Sequence, residues 1–157
     1  MKRVVASSAL LLVLAVIGGA VWVWATDPAD WVVTDRGTFP SDAASRGQFA
    51  AIVVFIGIGA VLCLVWGWVI GHVQRDLGWL LVPPFVVVAS LAALITWRVG
   101  IWLGPSDPRD AVGTSIGDRL PAPLAIDAVA PFLVWPMMAL VGLLVAAWLD
   151  RSDEEAS

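Results

Sequence analysis

The stretch Phe49–Ile70 reads FAAIVVFIGIGAVLCLVWGWVI and carries no Asp, Glu, Lys, Arg or His. An α-helix rises 1.5 Å per residue, so about 20 apolar residues cross a bilayer core roughly 30 Å thick. Residues 4–25, 78–97 and 129–149 have the same length class and are equally free of those five residue types. The sequence therefore predicts an all-α integral membrane bundle of four transmembrane helices, in a single domain over 1–157. Residues 26–48 and 98–128 become two outer, extracytoplasmic loops, and 150–157 an acidic C-terminal tail.

Composition supports this reading. The charged fraction is 14% and the mean hydropathy +0.89, against about 25% charged residues in a soluble domain. A soluble chain of this composition would have nowhere to hide its apolar surface. The net charge is -4 and no basic stripe exists, which argues against a nucleic-acid partner. The single cysteine excludes an internal disulfide.

Lys2 and Arg3 before the first apolar run resemble the opening of a secretory signal. Signal h-regions are about 7–15 residues long, whereas this run is longer and ends in Trp22 and Trp24. An uncleaved first helix is expected. Lys2, Arg3 and Arg75 flank spans closely, while the arginines of the two long loops are interleaved with aspartates. The positive-inside rule then puts both termini in the cytoplasm, in a plasma (inner) membrane. Indoles favour the headgroup level. Trp22, Trp24, Trp31, Trp97 and Trp102 are expected as one belt and Trp66, Trp68, Trp79 and Trp148 as the other. Trp135 lies too deep for either.

Lipid is as apolar as leucine, so membrane helices associate by close packing of small residues. In the second span Gly59, Cys63, Gly67 and Gly71 recur every four residues, with Gly57 and Ala60 beside them. They are the helix-packing candidates, either against neighbours within the chain or along a homodimer seam. Pro83 and Pro84 in the third span, and Pro131 and Pro136 in the fourth, are the helix-kink candidates, because proline removes a backbone donor. Broken helices build transport sites, but the polar companions here are only Ser7, Ser8, Ser90 and Thr96. The spans also lack the ionisable residues that mark proton and ion pathways.

Arg98 follows the third span and is the candidate for ion pairing with a loop aspartate at the outer face; snorkelling to headgroups is the simpler role. His72 has no second His, Cys or paired carboxylate near it in sequence, so no metal site, cofactor or catalytic group is expected. The loop aspartates match no calcium-loop spacing. Gly37-Thr38 with Asp42, and Gly113-Thr114 with Asp118, repeat a short pattern in the two loops. If the loops touch, they form a cap.

Leu103-Gly104-Pro105, Val112-Gly113-Thr114, Ala122-Pro123-Leu124 and Trp135-Pro136, with Asp35 through Phe39 in the first loop, carry a family resemblance. From about Asp35 onward the chain resembles an actinobacterial group of small membrane proteins catalogued only as a domain of unknown function. The resemblance implies a four-helix inner-membrane protein of an actinobacterium. It implies no activity, and no site residues carry over.

The expected function is a non-enzymatic accessory or assembly protein of a membrane complex. Its partners would be the lipid bilayer and a membrane protein or further copies of itself. A small transporter or lipid-handling protein acting as an oligomer is the alternative. An enzyme would need Arg98 and the loop aspartates to converge on one pocket.

Overall fold

The structure is a computed structural model that describes residues 2–26, 30–34, 37–40, 44–105, 118–121, 124 and 126–155. Helix α1 spans Lys2–Ala25, α2 Ala44–Val73, α3 Val82–Leu103 and α4 Ala130–Glu155; a 3₁₀ helix, Arg75–Leu81, joins α2 to α3. The stretches Arg3–Ala25, Arg46–Val73, Leu77–Leu103 and Ala130–Leu149 are each long and apolar enough to span a bilayer. Around the bundle, large apolar side chains such as Val5, Leu10, Val61, Val87 and Leu144 point outward. Apolar groups that leave water for neither core nor partner need lipid around them. The chain is a multi-pass membrane protein with an all-α four-helix bundle.

The helices form a ring in the order α1, α2, α4, α3. The most extensive packing joins α2 to α4, and then α1 to α3. Both are parallel pairs, each made of corresponding helices from the two hairpins. The inside of the bundle combines small residues with a few large aromatic ones. On α3 the buried face is Phe85, Ala89, Ala92, Ala93, Thr96 and Gly100, a three-and-four spacing that makes one stripe.

The α1–α3 seam is closed by Gly19, where an added Cβ would lie 2.7 Å from Val99 Cβ and 2.8 Å from the Thr96 carbonyl oxygen. This close approach lets Thr96 Oγ1 donate to the Ala15 carbonyl at 2.8 Å. Nearby, the indole of Trp22 fills the space that a side chain at Gly100 would take, and its Nε1 donates to the Ala51 carbonyl of α2 at 2.8 Å. One helix is thus tied by hydrogen bonds to two neighbours. Replacing Thr96 with valine keeps the volume and removes the first bond. The expected loss is about 1 kcal/mol, read as a lower SDS midpoint for unfolding of the purified protein. An unshifted midpoint would show that the bond contributes nothing.

Several boundaries differ from the sequence reading. Helix α2 starts at Ala44 and α3 runs on to Leu103, so Arg98 is helical. The expected acidic tail is helical as far as Glu155, because no proline or glycine interrupts α4 after Leu149. Pro83 and Pro84 do not kink a span. The 3₁₀ helix takes up the residues before them, and they open α3, in the turn whose N–H groups lack partners anyway. Pro131 likewise lies in the first turn of α4. Only Pro136 is internal. The chain turns at Gly78, with φ of 50°, which a side chain would disfavour.

The long loops contribute a small sheet that the sequence reading did not contain. Strands β1 (Asp30–Thr34), β2 (Gly37–Pro40) and β3 (Arg119–Pro121) run in the order β2-β1-β3. The β1–β2 pairing is a hairpin within the first loop. The antiparallel β1–β3 pairing, with Val32 opposite Arg119, joins the first loop to the second. Of the repeated loop pattern, Asp42, Gly113 and Thr114 lie outside the described residues, as do Asp35 and 112–114 of the family resemblance.

Candidate functional site: the loop end of the bundle

The glycine stripe of α2 faces α4. A side chain at Gly59 would collide with the Trp135 indole, one at Gly67 with the Ala139 carbonyl, and one at Gly71 would come within 2.9 Å of Ala146 Cβ. In return, a Cβ at Gly142 would reach 2.7 Å from the Trp68 backbone nitrogen. Cys63 is buried as a free thiol. The stripe is thus occupied within the chain, where it packs on α4. Gly57 differs from its neighbours, since nothing lies within 4 Å of a Cβ built on it. The partners Gly18, Gly19, Gly100 and Gly142 were not singled out from sequence. Their signal was available: each glycine weakens a helix by about 1 kcal/mol relative to alanine, so glycine in an apolar span calls for a packing reason.

The tryptophans divide into two groups. Trp24, Trp68, Trp79, Trp102 and Trp148 are exposed, as a belt requires. Trp22 and Trp66 are buried and Trp97 half-buried, which corrects their placement in the belts. Of these three, Trp22 turns inward over Gly100, where the missing side chain leaves space for its indole. With phenylalanines they form two clusters. Phe55, wholly buried, has ring centroids at 5.4 Å from Trp22, 5.3 Å from Phe132 and 5.4 Å from Trp135. Trp97 meets Phe132 edge-on at 5.8 Å. All four helices contribute, so the cluster plugs the bundle at its loop end. Trp66 and Phe85, 4.3 Å apart, fill the other end. The indole nitrogens of Trp66, Trp97 and Trp135 are buried and have no hydrogen-bond partner among the described residues.

Beside the plug, a half-open groove of about 400 Å³ runs between α3 and α4. Ser90, Leu94, Trp97, Asp127, Phe132 and Leu133 are among its walls. Ser90, Leu94 and Trp97 follow each other along one helix face. Pro136 cannot donate to the carbonyl four residues earlier, so the Phe132 carbonyl lacks its helical donor. At the mouth, Asp127 Oδ2 accepts from Gln48 Nε2 at 3.4 Å. The Arg98 guanidinium lies over the Trp97 ring, 5.5 Å from its centroid, a cation–π distance. Of the loop aspartates considered as its partners, those at 27, 35, 42, 107 and 110 lie outside the described residues. Among the described residues, no three His, Cys, Asp or Glu side chains come together. No family model matches the chain, and neither the curated proteins nor the solved structures yielded a match.

Proposed function

We propose that this is a non-enzymatic protein of the plasma (inner) membrane that assembles with a membrane-protein partner through the loop end of its bundle. The observation that carries this reading is the β1–β3 pairing. It joins two loops far apart in sequence into one platform across the hairpins, where separate loops would suffice merely to connect helices. The small-residue seams are consumed inside the bundle, so the platform, not the α2 stripe, is the surface that remains to recognise a partner. Lys2, Arg3 and Arg75 at the opposite end favour an orientation with both termini in the cytoplasm. The transport alternative is opposed by the aromatic plug centred on Phe55, which fills the route between the helices. Lipid handling is favoured by the groove between α3 and α4.

The test is affinity purification from native membranes in mild detergent, with mass spectrometry of what accompanies the chain. A stoichiometric membrane polypeptide is expected with the wild type. It should be lost with Val32→Pro, because proline in the central strand removes a ladder donor, while helicity by circular dichroism stays unchanged. A wild-type chain that purifies alone, or a partner retained equally by the variant, would overturn the reading.

A further inference from the structure

We infer that the groove between α3 and α4 is the seat of one phospholipid bearing a primary-ammonium headgroup. This rests on the membrane-spanning fold and is independent of the protein-partner reading. The wall from Ser90 to Trp97 runs about 10 Å along α3 and faces Val129, Phe132 and Leu133 of α4. Leu94, Val129 and Leu133 are all exposed to the bundle's surroundings. In a bilayer the apolar length of this channel is filled by the chain of a lipid, since none of the described residues covers it and its aliphatic and aromatic walls give water few partners.

The groove also has a polar end, and its chemistry is paired. Arg98 is held against Trp97, a wall residue. Asp127 is itself a wall residue, steadied by Gln48 from α2. An anion in the wall and a cation held against the neighbouring wall residue match a zwitterion: phosphate to the guanidinium and ammonium to the carboxylate. Between the charged end and the apolar floor the walls are Leu94, Trp97, Val129 and Phe132. A primary ammonium donates hydrogen bonds to Asp127, whereas a quaternary choline cannot. The site therefore discriminates between headgroups and is more than an apolar contact.

The experiment is native mass spectrometry of the full chain after exchange into nanodiscs of phosphatidylethanolamine and phosphatidylcholine in equal parts. The wild type should retain one lipid per chain and favour the ethanolamine lipid about tenfold, the ratio expected for one charge-assisted hydrogen bond. Asp127→Asn, a change at an exposed side chain, should abolish the preference while a lipid is still retained. Arg98→Gln should weaken both lipids alike. Leu133→Trp, which fills the groove, should remove the retained lipid, with circular dichroism reporting whether the helices persist. Equal retention of both lipids by the wild type, or a preference that survives Asp127→Asn, would overturn the assignment. So would a second copy of the chain, or another polypeptide, found bound and released by Leu133→Trp.

Discussion

Replacing Gly67 with leucine will leave little folded protein, although the new residue is a better helix former and more apolar. The obstacle is the backbone of α4. Even a single methyl group at Gly67 overlaps the Ala139 carbonyl, and a backbone carbonyl cannot rotate aside as a side chain can. The α2–α4 seam has to open by an ångström or more along a run that also holds Gly59, Gly71 and Gly142. The expected cost is at least about 3 kcal/mol, the upper range for an overpacked site. The same substitution at Gly57 provides the control, because that position faces open space on the same helix. Gly57→Leu should leave the SDS unfolding midpoint where it is. Should Gly67→Leu give a folded monomer with the wild-type midpoint, the α2–α4 packing described above would be wrong. Loss of a dimer alone, with the monomer intact, would restore the homodimer seam.

Phe55→Ala should have the second largest effect. Unfolding in a membrane returns an apolar side chain to lipid, so little hydrophobic transfer is gained on folding. What Phe55 contributes is packing: it touches rings from α1 and α4, and its removal leaves a hole that stiff indoles cannot fill. We expect a loss of about 2–4 kcal/mol, the cavity and ring-contact share of the usual phenylalanine truncation. Near-ultraviolet circular dichroism should weaken with it, because Trp22 and Trp135 lose the neighbour that orients them. Phe55→Leu should recover about half of the loss. An unchanged midpoint with unchanged tryptophan dichroism would mean that the plug is not structural.

The four spans were legible because absence of charge over a membrane's width is a strong signal. The α2 stripe was legible too, since glycine every four residues needs a packing reason. Its partner was not: a stripe states that something approaches, and only the ring order of the helices says that α4 does. The buried tryptophans were misread because an indole serves equally in a belt or a core. What decides is the size of the residue opposite, such as Gly100 across from Trp22. Pro83 and Pro84 were placed inside a span because nothing in Arg75–Leu81 announces a 3₁₀ helix before α3. The sheet was hidden by the shortness of its strands, and β3 has only three residues. The groove was least legible. Ser90, Trp97, Asp127 and Phe132 belong to two helices and a loop, and no spacing in the chain relates them.

The parallel pairing of corresponding helices has a consequence for biogenesis. Helix α2 leaves the ribosome with its glycine seam bare, and the residues that cover it, from Trp135 to Ala146, are synthesised only after α3. The first hairpin must therefore wait in the bilayer, with α1 and α2 holding only their lesser contact, which includes Trp22 against Ala51 and Phe55. Insertion of α4 is the locking event. A chain cut before Ala130 would present an open glycine seam to every other helix in the membrane, and quality-control proteases should remove it quickly.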